Sequence, residues 1–202
     1  MPEPQFPTTT QYASPDLIAS IVYEGRDSGA DPRWAESGAP DLDTYRRWCG
    51  HMCGIACLRM ALLARYGHAP ALFDLLDGAR KYGAYTEDPD TGAIRGLIYA
   101  PFAQYVNDVH ALAAEVHPHL TVPDLVALLD AGRLVVASVH KEIRRPEKPA
   151  PGKGGHLVLV TGRQSGTVSF RNPSGHTEQA RSARLPVAEF AGFFAGRGVS
   201  LA

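Results

Sequence analysis

The sequence predicts an α+β protein in which helices come first and an antiparallel sheet follows. Three observations carry this. Apolar residues recur at helical spacing between residues 53 and 131. From residue 134 the pattern turns to short apolar runs and alternation, as strands require. The two kinds of segment are segregated along the chain, which argues against a doubly wound parallel sheet.

Taken in order, residues 1–42 are rich in Pro, Ser, Asp and Gly, with one apolar stretch from Leu17 to Tyr23. They read as an N-terminal arm on a domain spanning residues 43–202, with Asp31-Pro32-Arg33-Trp34 docking the arm. The run CGIACLRMALLARYGH (53–68) places Ile55, Leu58 and Leu62 on a helical stripe and contains no Pro; Gly67 and His68 close it. A second short helix fits Ala69 to Tyr82, and Thr86 to Gly92 is a polar loop. Pro101 opens a third helix with Phe102, Tyr105, Val106, Val109 and Leu112 on one face. Thr121 caps a fourth, Val122 to Ala131, which Gly132 ends. Strands follow at 134–140 and 156–162, with a Pro/Gly/Lys loop at 143–155 between them, and 167–175 is a strand running into a turn. A short helix at 186–194 and a last strand at 198–201 complete the chain.

Composition narrows the function. Of 202 residues, 45% are apolar and 20% charged, the balance of a globular domain rather than a disordered one. A net charge of -1 argues against binding nucleic acid by electrostatics. No apolar run approaches a membrane span, so no membrane partner is expected. The start MPEPQFPTTT lacks the basic and apolar regions of a secretory signal, which makes the cytoplasm the default compartment. Arg outnumbers Lys 16 to 4, a bias of GC-rich bacterial genomes. The three cysteines, Cys49, Cys53 and Cys57, fall within nine residues, a poor disulfide framework, so free thiols are expected.

Cys53 stands where a Gly-containing loop meets a long helix. A helix N-terminus offers unpaired N–H groups and partial positive charge, which lower a thiol pKa and can hold an oxyanion. Gly54 would let a substrate backbone approach. A nucleophilic thiol needs a base, and the base an orienting group. His156 follows Gly154 and Gly155 at the mouth of a strand, and Asn172 ends the next one, 16 residues on. A strand, a tight turn and a second strand bring them side by side. The plainer readings are a buried Cys, a structural His and a simple NPSG turn. Cys49 and Cys57 fit the core better than chemistry.

These motifs resemble the bacteriocin-processing, double-glycine cysteine peptidase family. CGIACLRMAL (53–62) is similar to its nucleophile motif, with Ile55 in place of a usual Pro. GGHLVLVTG (154–162) resembles its histidine strand, RNPSG (171–175) its third motif, and the segment from Leu128 to 139 the strand before the histidine. The resemblance covers residue 43 to the C-terminus. It implies the papain-like fold, with a helical half carrying the Cys and an antiparallel sheet carrying His and Asn. It also implies Cys53 as nucleophile, His156 as base and Asn172 as orienter. The family usually places a Gln six residues before the nucleophile, as an oxyanion donor; here that residue is Arg47. Losing such a donor costs about 2.7–4 kcal/mol of transition-state stabilisation. Either Arg47, Trp48 or His51 supplies the donor, or Gln11 reaches in from the arm, or activity is poor.

Other features point less sharply. Cys49, Cys53, Cys57 and His51 lie along one stripe and cannot wrap a metal ion alone, so neither metal nor cofactor is expected. His110, His117 and His119 read as a solvated turn, residues 144–153 as a flap, and 96–102 as cleft lining or core. The leading expectation is a hydrolase cleaving a peptide or amide bond through a Cys53 acyl-enzyme in intracellular peptide or natural-product processing. An acyltransferase or ligase using the same triad, and a non-catalytic peptide-binding module, are the alternatives.

Overall fold

A computed structural model describes residues 6–202; the first five residues of the expected arm lie outside the described residues. The N-terminal segment carries one helix, α1 (Ile18–Glu24), and three single 3-10 turns. Asp31 docks it: one carboxylate oxygen accepts from the Ser14 hydroxyl at 2.6 Å and the other from the Tyr45 hydroxyl at 2.7 Å. Tyr12 and Ile18 of this segment join the same apolar cluster as the helices that follow.

Four of those helices are α2 (Leu42–Trp48), α3 (Cys53–Tyr66), α4 (Leu72–Lys81) and α5 (Tyr99–His110). α3 ends as its sequence dictates, with Gly67 at φ 75°, where a left-handed residue closes the last turn. Between α4 and α5 the expected polar loop is flanked by a two-residue hairpin, β1 (Thr86–Glu87) with β2 (Ile94–Arg95). α5 starts two residues before Pro101, which still lies in the first turn, where no N–H is needed. Val109, expected on its buried face, is 54% exposed, because α5 is at its C-terminal end there.

A short strand, β3 (Ala114–His117), precedes α6 (Val122–Asp130). Thr121 and Asp124 form a reciprocal capping box there. β4 (Leu134–His140), β5 (Gly155–Gln164) and β6 (Thr167–Arg171) then build an antiparallel meander. α7 (Glu178–Arg181), β7 (Ser182–Pro186), α8 (Val187–Phe193) and β8 (Phe194–Leu201) close the fold. The sheet has six antiparallel strands in the order β3-β8-β4-β5-β6-β7.

Alternation along the central strands sorts two cores. Val136, Leu157, Leu159 and Val199 pack with α2 to α5. Val135, Val158, Val160 and Phe170 pack with Leu125 and Leu129 of α6 and Phe190 of α8. This period-two sorting fixes the register of β5, and with it the position of His156 against Val139.

Candidate active site

Cys53 is the first residue of α3, and no side chain caps that helix start. The thiol is half-buried and lines a cleft of about 710 Å³ together with His156, Leu157 and Gly155. α3 packs against β5, and the Leu157 N–H approaches the thiol. The lowered thiol pKa expected from the helix terminus is not what this environment gives. Burial pushes Cys53 above its ordinary value; the amides of Leu157, Gly54 and Cys53, and the Arg144 charge, pull the other way without prevailing. A helix terminus contributes about 0.3–1 kcal/mol, less than desolvating a thiolate can cost.

Gly54 also has a different role from the one expected. It is buried, and a Cβ there would lie 2.8 Å from the Tyr85 hydroxyl, 3.0 Å from Leu97 and 3.1 Å from Leu157. Glycine is needed for helix-on-sheet packing beneath the thiol, and no substrate backbone can approach through that space.

The structure brings His156 and Asn172 together. His156 Nε2 lies 2.8 Å from Asn172 Oδ1, both side chains buried. The Ser174 backbone N–H also donates to Oδ1, at 3.1 Å, which fixes which end of the amide is oxygen. Nε2 therefore carries the proton, and Nδ1 is the unprotonated nitrogen, with no hydrogen bond among the described residues. Cys53 lines the same cleft as His156.

Two further side chains complete this network, and neither stood out in the sequence. Ser174 is fully buried, its hydroxyl 3.1 Å from His156 Nε2 and 3.4 Å from Asn172 Oδ1. Arg144 Nε donates to that hydroxyl at 2.8 Å. Burial, then the Arg144 charge, push the His156 imidazole down to about 3, while the Asn172 hydrogen bond opposes them. Both shifts favour the uncharged form of each group. The backbone holds the turn rigid: Asn172 N–H donates to Arg181 O at 2.9 Å and Gly175 N–H to Asn172 O at 3.1 Å. A Cβ on Gly175 would meet the Ala180–Arg181 peptide at 2.4 Å, so only glycine fits.

The four residues considered as replacements for the missing Gln are placed differently. Arg47 is drawn away to the β1–β2 hairpin, paired with Glu87 and donating to Gly92 O at 3.1 Å. Trp48 is buried, with the Arg80 guanidinium 4.5 Å over its ring. His51 lines the cleft, and burial lowers its pKa. Gln11 reaches in from the N-terminal segment. Its Nε2 donates to Cys49 O at 2.8 Å, and its backbone N–H to Pro173 O at 2.9 Å. One residue thereby ties the turn before Cys53 to the turn bearing Asn172. Gln11 Oε1 is buried without a partner among the described residues.

Cys49 and Cys57 are packed in the core, at 1% and 0% exposure. Of residues 96–102, Gly96 to Tyr99 line the cleft, whereas Phe102 is core. The His110, His117 and His119 group is no solvated turn: His117 lies in β3, its Nε2 2.8 Å from the Ser200 hydroxyl. His110 ends α5, stacked edge-on against Tyr105. Only His119 is exposed.

No family model and no curated protein matches the chain. Solved structures do. The peptidase domain of Streptococcus ComA, a bifunctional ABC transporter involved in a quorum-sensing pathway, superposes with a TM-score of 0.51. It has 15% identity, and the match covers 76% of this chain and 92% of that domain. The chain has the papain-like cysteine peptidase fold. Two further solved structures are similar to the chain. A double-glycine-motif protease of an AMS/PCAT transporter, solved with its leader peptide, gives 0.48 at 15% identity, covering 74% and 82%. A C39-like peptidase from Bacillus anthracis gives 0.49 at 14%, covering 75% and 88%. Cys53 and His156 both line the cleft between the helices and the sheet. No helix among the described residues is long and apolar enough to cross a membrane.

Proposed function

We propose that the protein is a cysteine peptidase-like hydrolase that cleaves a peptide bond through a Cys53 acyl-enzyme. The observation that carries this is the His156–Asn172 hydrogen bond of 2.8 Å in the cleft that the Cys53 thiol lines. The peptidase-like fold and its peptide-processing neighbours support the substrate class.

In this reading His156 Nδ1 accepts the thiol proton as Sγ attacks the carbonyl carbon. The oxyanion that forms faces the N–H groups at the start of α3. His156 returns the proton to the leaving amine as the C–N bond breaks. Water then attacks the thioester, gives its proton to His156, and releases the acid and the thiol. Asn172, held by Ser174, keeps Nε2 protonated throughout. The reaction takes place inside the cell.

Cleavage profiling on a peptide digest tests this, comparing wild type with Cys53→Ala. New termini that disappear in Cys53→Ala are expected. Addition of a primary amine separates the acyltransferase alternative: products carrying the amine would replace the free acids. A non-catalytic peptide-binding role is the second reading, favoured by the engagement of Arg47 with Glu87 away from the oxyanion side. Peptide capture without cleavage would support it.

A further inference from the structure

The cleft carries charge of one sign only. Arg95 and Arg197 line it, and no Asp or Glu does. Arg95 belongs to the β1–β2 hairpin on the helical side, Arg197 to β8 on the sheet side. The two arginines thus line the cleft from different walls. Neither has a carboxylate or a hydrogen-bonding partner among the described residues, and both are exposed. Acidic residues are not scarce: 21 Asp and Glu stand against 20 Lys and Arg. Seven other arginines lie within ion-pair distance of a carboxylate. Glu87, on the same hairpin as Arg95, is engaged by Arg47 instead.

Arg197 is also placed at the reacting end. Its Nη2 lies 2.9 Å from where a Cβ on Gly154 would stand, two residues before His156. Gly154, at φ 88°, leaves room for that guanidinium. A third cation, Arg144, acts on Cys53 and His156 from behind Ser174. Like charges in a cleft with low-dielectric walls add into a focused positive potential.

We propose that the cleft selects a carboxylate-bearing peptide, with Arg95 and Arg197 holding the carboxylate next to the scissile bond. This rests on the peptidase reading and names its substrate class. The carboxylate belongs either to an Asp or Glu side chain or to a free C-terminus. Two unpaired guanidinium groups can each take it bidentately, which lysines could not do.

Two measurements test the proposal, and the first needs no substrate. Iodoacetate and iodoacetamide react with a thiol by the same displacement and differ by one carboxylate. Their relative rates at Cys53, read by intact-protein mass spectrometry, report the local potential. Wild type should favour iodoacetate by about five-fold or more over Arg95→Gln/Arg197→Gln, and the preference should fade as salt shortens the Debye length to about 3 Å at 1 M. The second measurement is binding to Cys53→Ala, read by fluorescence anisotropy. The probes are short Gly/Ala peptides carrying Glu or Gln, each with a free or amidated C-terminus. Tighter binding of the Glu peptides, lost in the double Arg variant, is expected for a side-chain carboxylate. Discrimination by amidation alone assigns the C-terminal carboxylate. No discrimination among the four, or discrimination unchanged in the double variant, overturns the proposal. Cys53 inert to both reagents while peptides still discriminate would sink the catalytic reading and leave the anionic site standing.

Discussion

The two flanks of Cys53 are built on different plans. On the base side, buried His156, Asn172 and Ser174 and half-buried Arg144 form a chain of hydrogen bonds between 2.8 and 3.4 Å. All but Arg144 come from β5 and the turn after β6, so local sequence sets their geometry. On the oxyanion side, the residue in the usual donor position, Arg47, is paired with Glu87. Gln11, which does contact the turn before Cys53, comes from 42 residues upstream of it. One flank is a short-range device that a motif can announce. The other is assembled from distant segments.

That contrast predicts a graded response to substitution. The largest effect belongs to the base side: His156→Ala and Asn172→Ala should each lower turnover about 10²–10⁴-fold, the usual worth of a positioned base. Gly175→Ala should act with them by displacing Asn172, and circular dichroism would separate that from global unfolding. Ser174→Ala breaks the link between Arg144 and the imidazole and removes one buried partner, at about 1–3 kcal/mol. Relief from the Arg144 charge through Arg144→Gln should raise the His156 pKa, visible as a shift of its NMR titration toward higher pH.

The oxyanion side should respond less, and unevenly. Gln11→Ala removes one of the residue's two ties, the side-chain bond to Cys49 O, and leaves the backbone bond to Pro173. A stability loss of about 1 kcal/mol is expected from the lost side-chain bond. Arg47→Gln should change thermal stability by at most about 1 kcal/mol, because the pair is exposed. It should leave turnover nearly unchanged. A fall of about 10²–10³-fold would instead make Arg47 the oxyanion donor.

Acid should destabilise the fold through the base side. His156 is neutral when folded, with its pKa lowered to about 3, and takes a proton near its ordinary value when unfolded. Between those values the unfolded state binds more protons, so stability is full above the ordinary histidine pKa and falls as pH drops through that window. The slope per histidine is about 1.4 kcal/mol per pH unit. His51, His110 and His176 are lowered too, so His156→Gln should reduce the acid sensitivity of the melting temperature without abolishing it.

The same short-range and long-range division decides what was legible in the sequence. α3 could be read because an unbroken apolar stripe ends in Gly67, and α6 because Thr121 and Gly132 bracket it. The juxtaposition of His156 and Asn172 followed from one hairpin. By contrast β3 is four residues long and exists only through its pairing with β8, far along the chain. β7 is an edge strand ending in Pro186, with almost no alternation to betray it. Ser174 lay within the NPSG turn but was indistinguishable there from an ordinary turn residue. Arg144 lay in a loop whose Pro, Gly and Lys content spoke only of exposure. The direction of the Cys53 shift is not legible in the sequence, because helix position is visible there and burial beside Leu157 and Tyr85 is not.

The most direct measurement is the rate of Cys53 alkylation by iodoacetamide as a function of pH, in wild type and His156→Gln, read by intact-protein mass spectrometry. A working thiol–imidazole pair predicts labelling at Cys53, slowed markedly by His156→Gln near neutral pH, with the two profiles converging in strong alkali where the thiol ionises unaided. Identical profiles for the two proteins at every pH would contradict it.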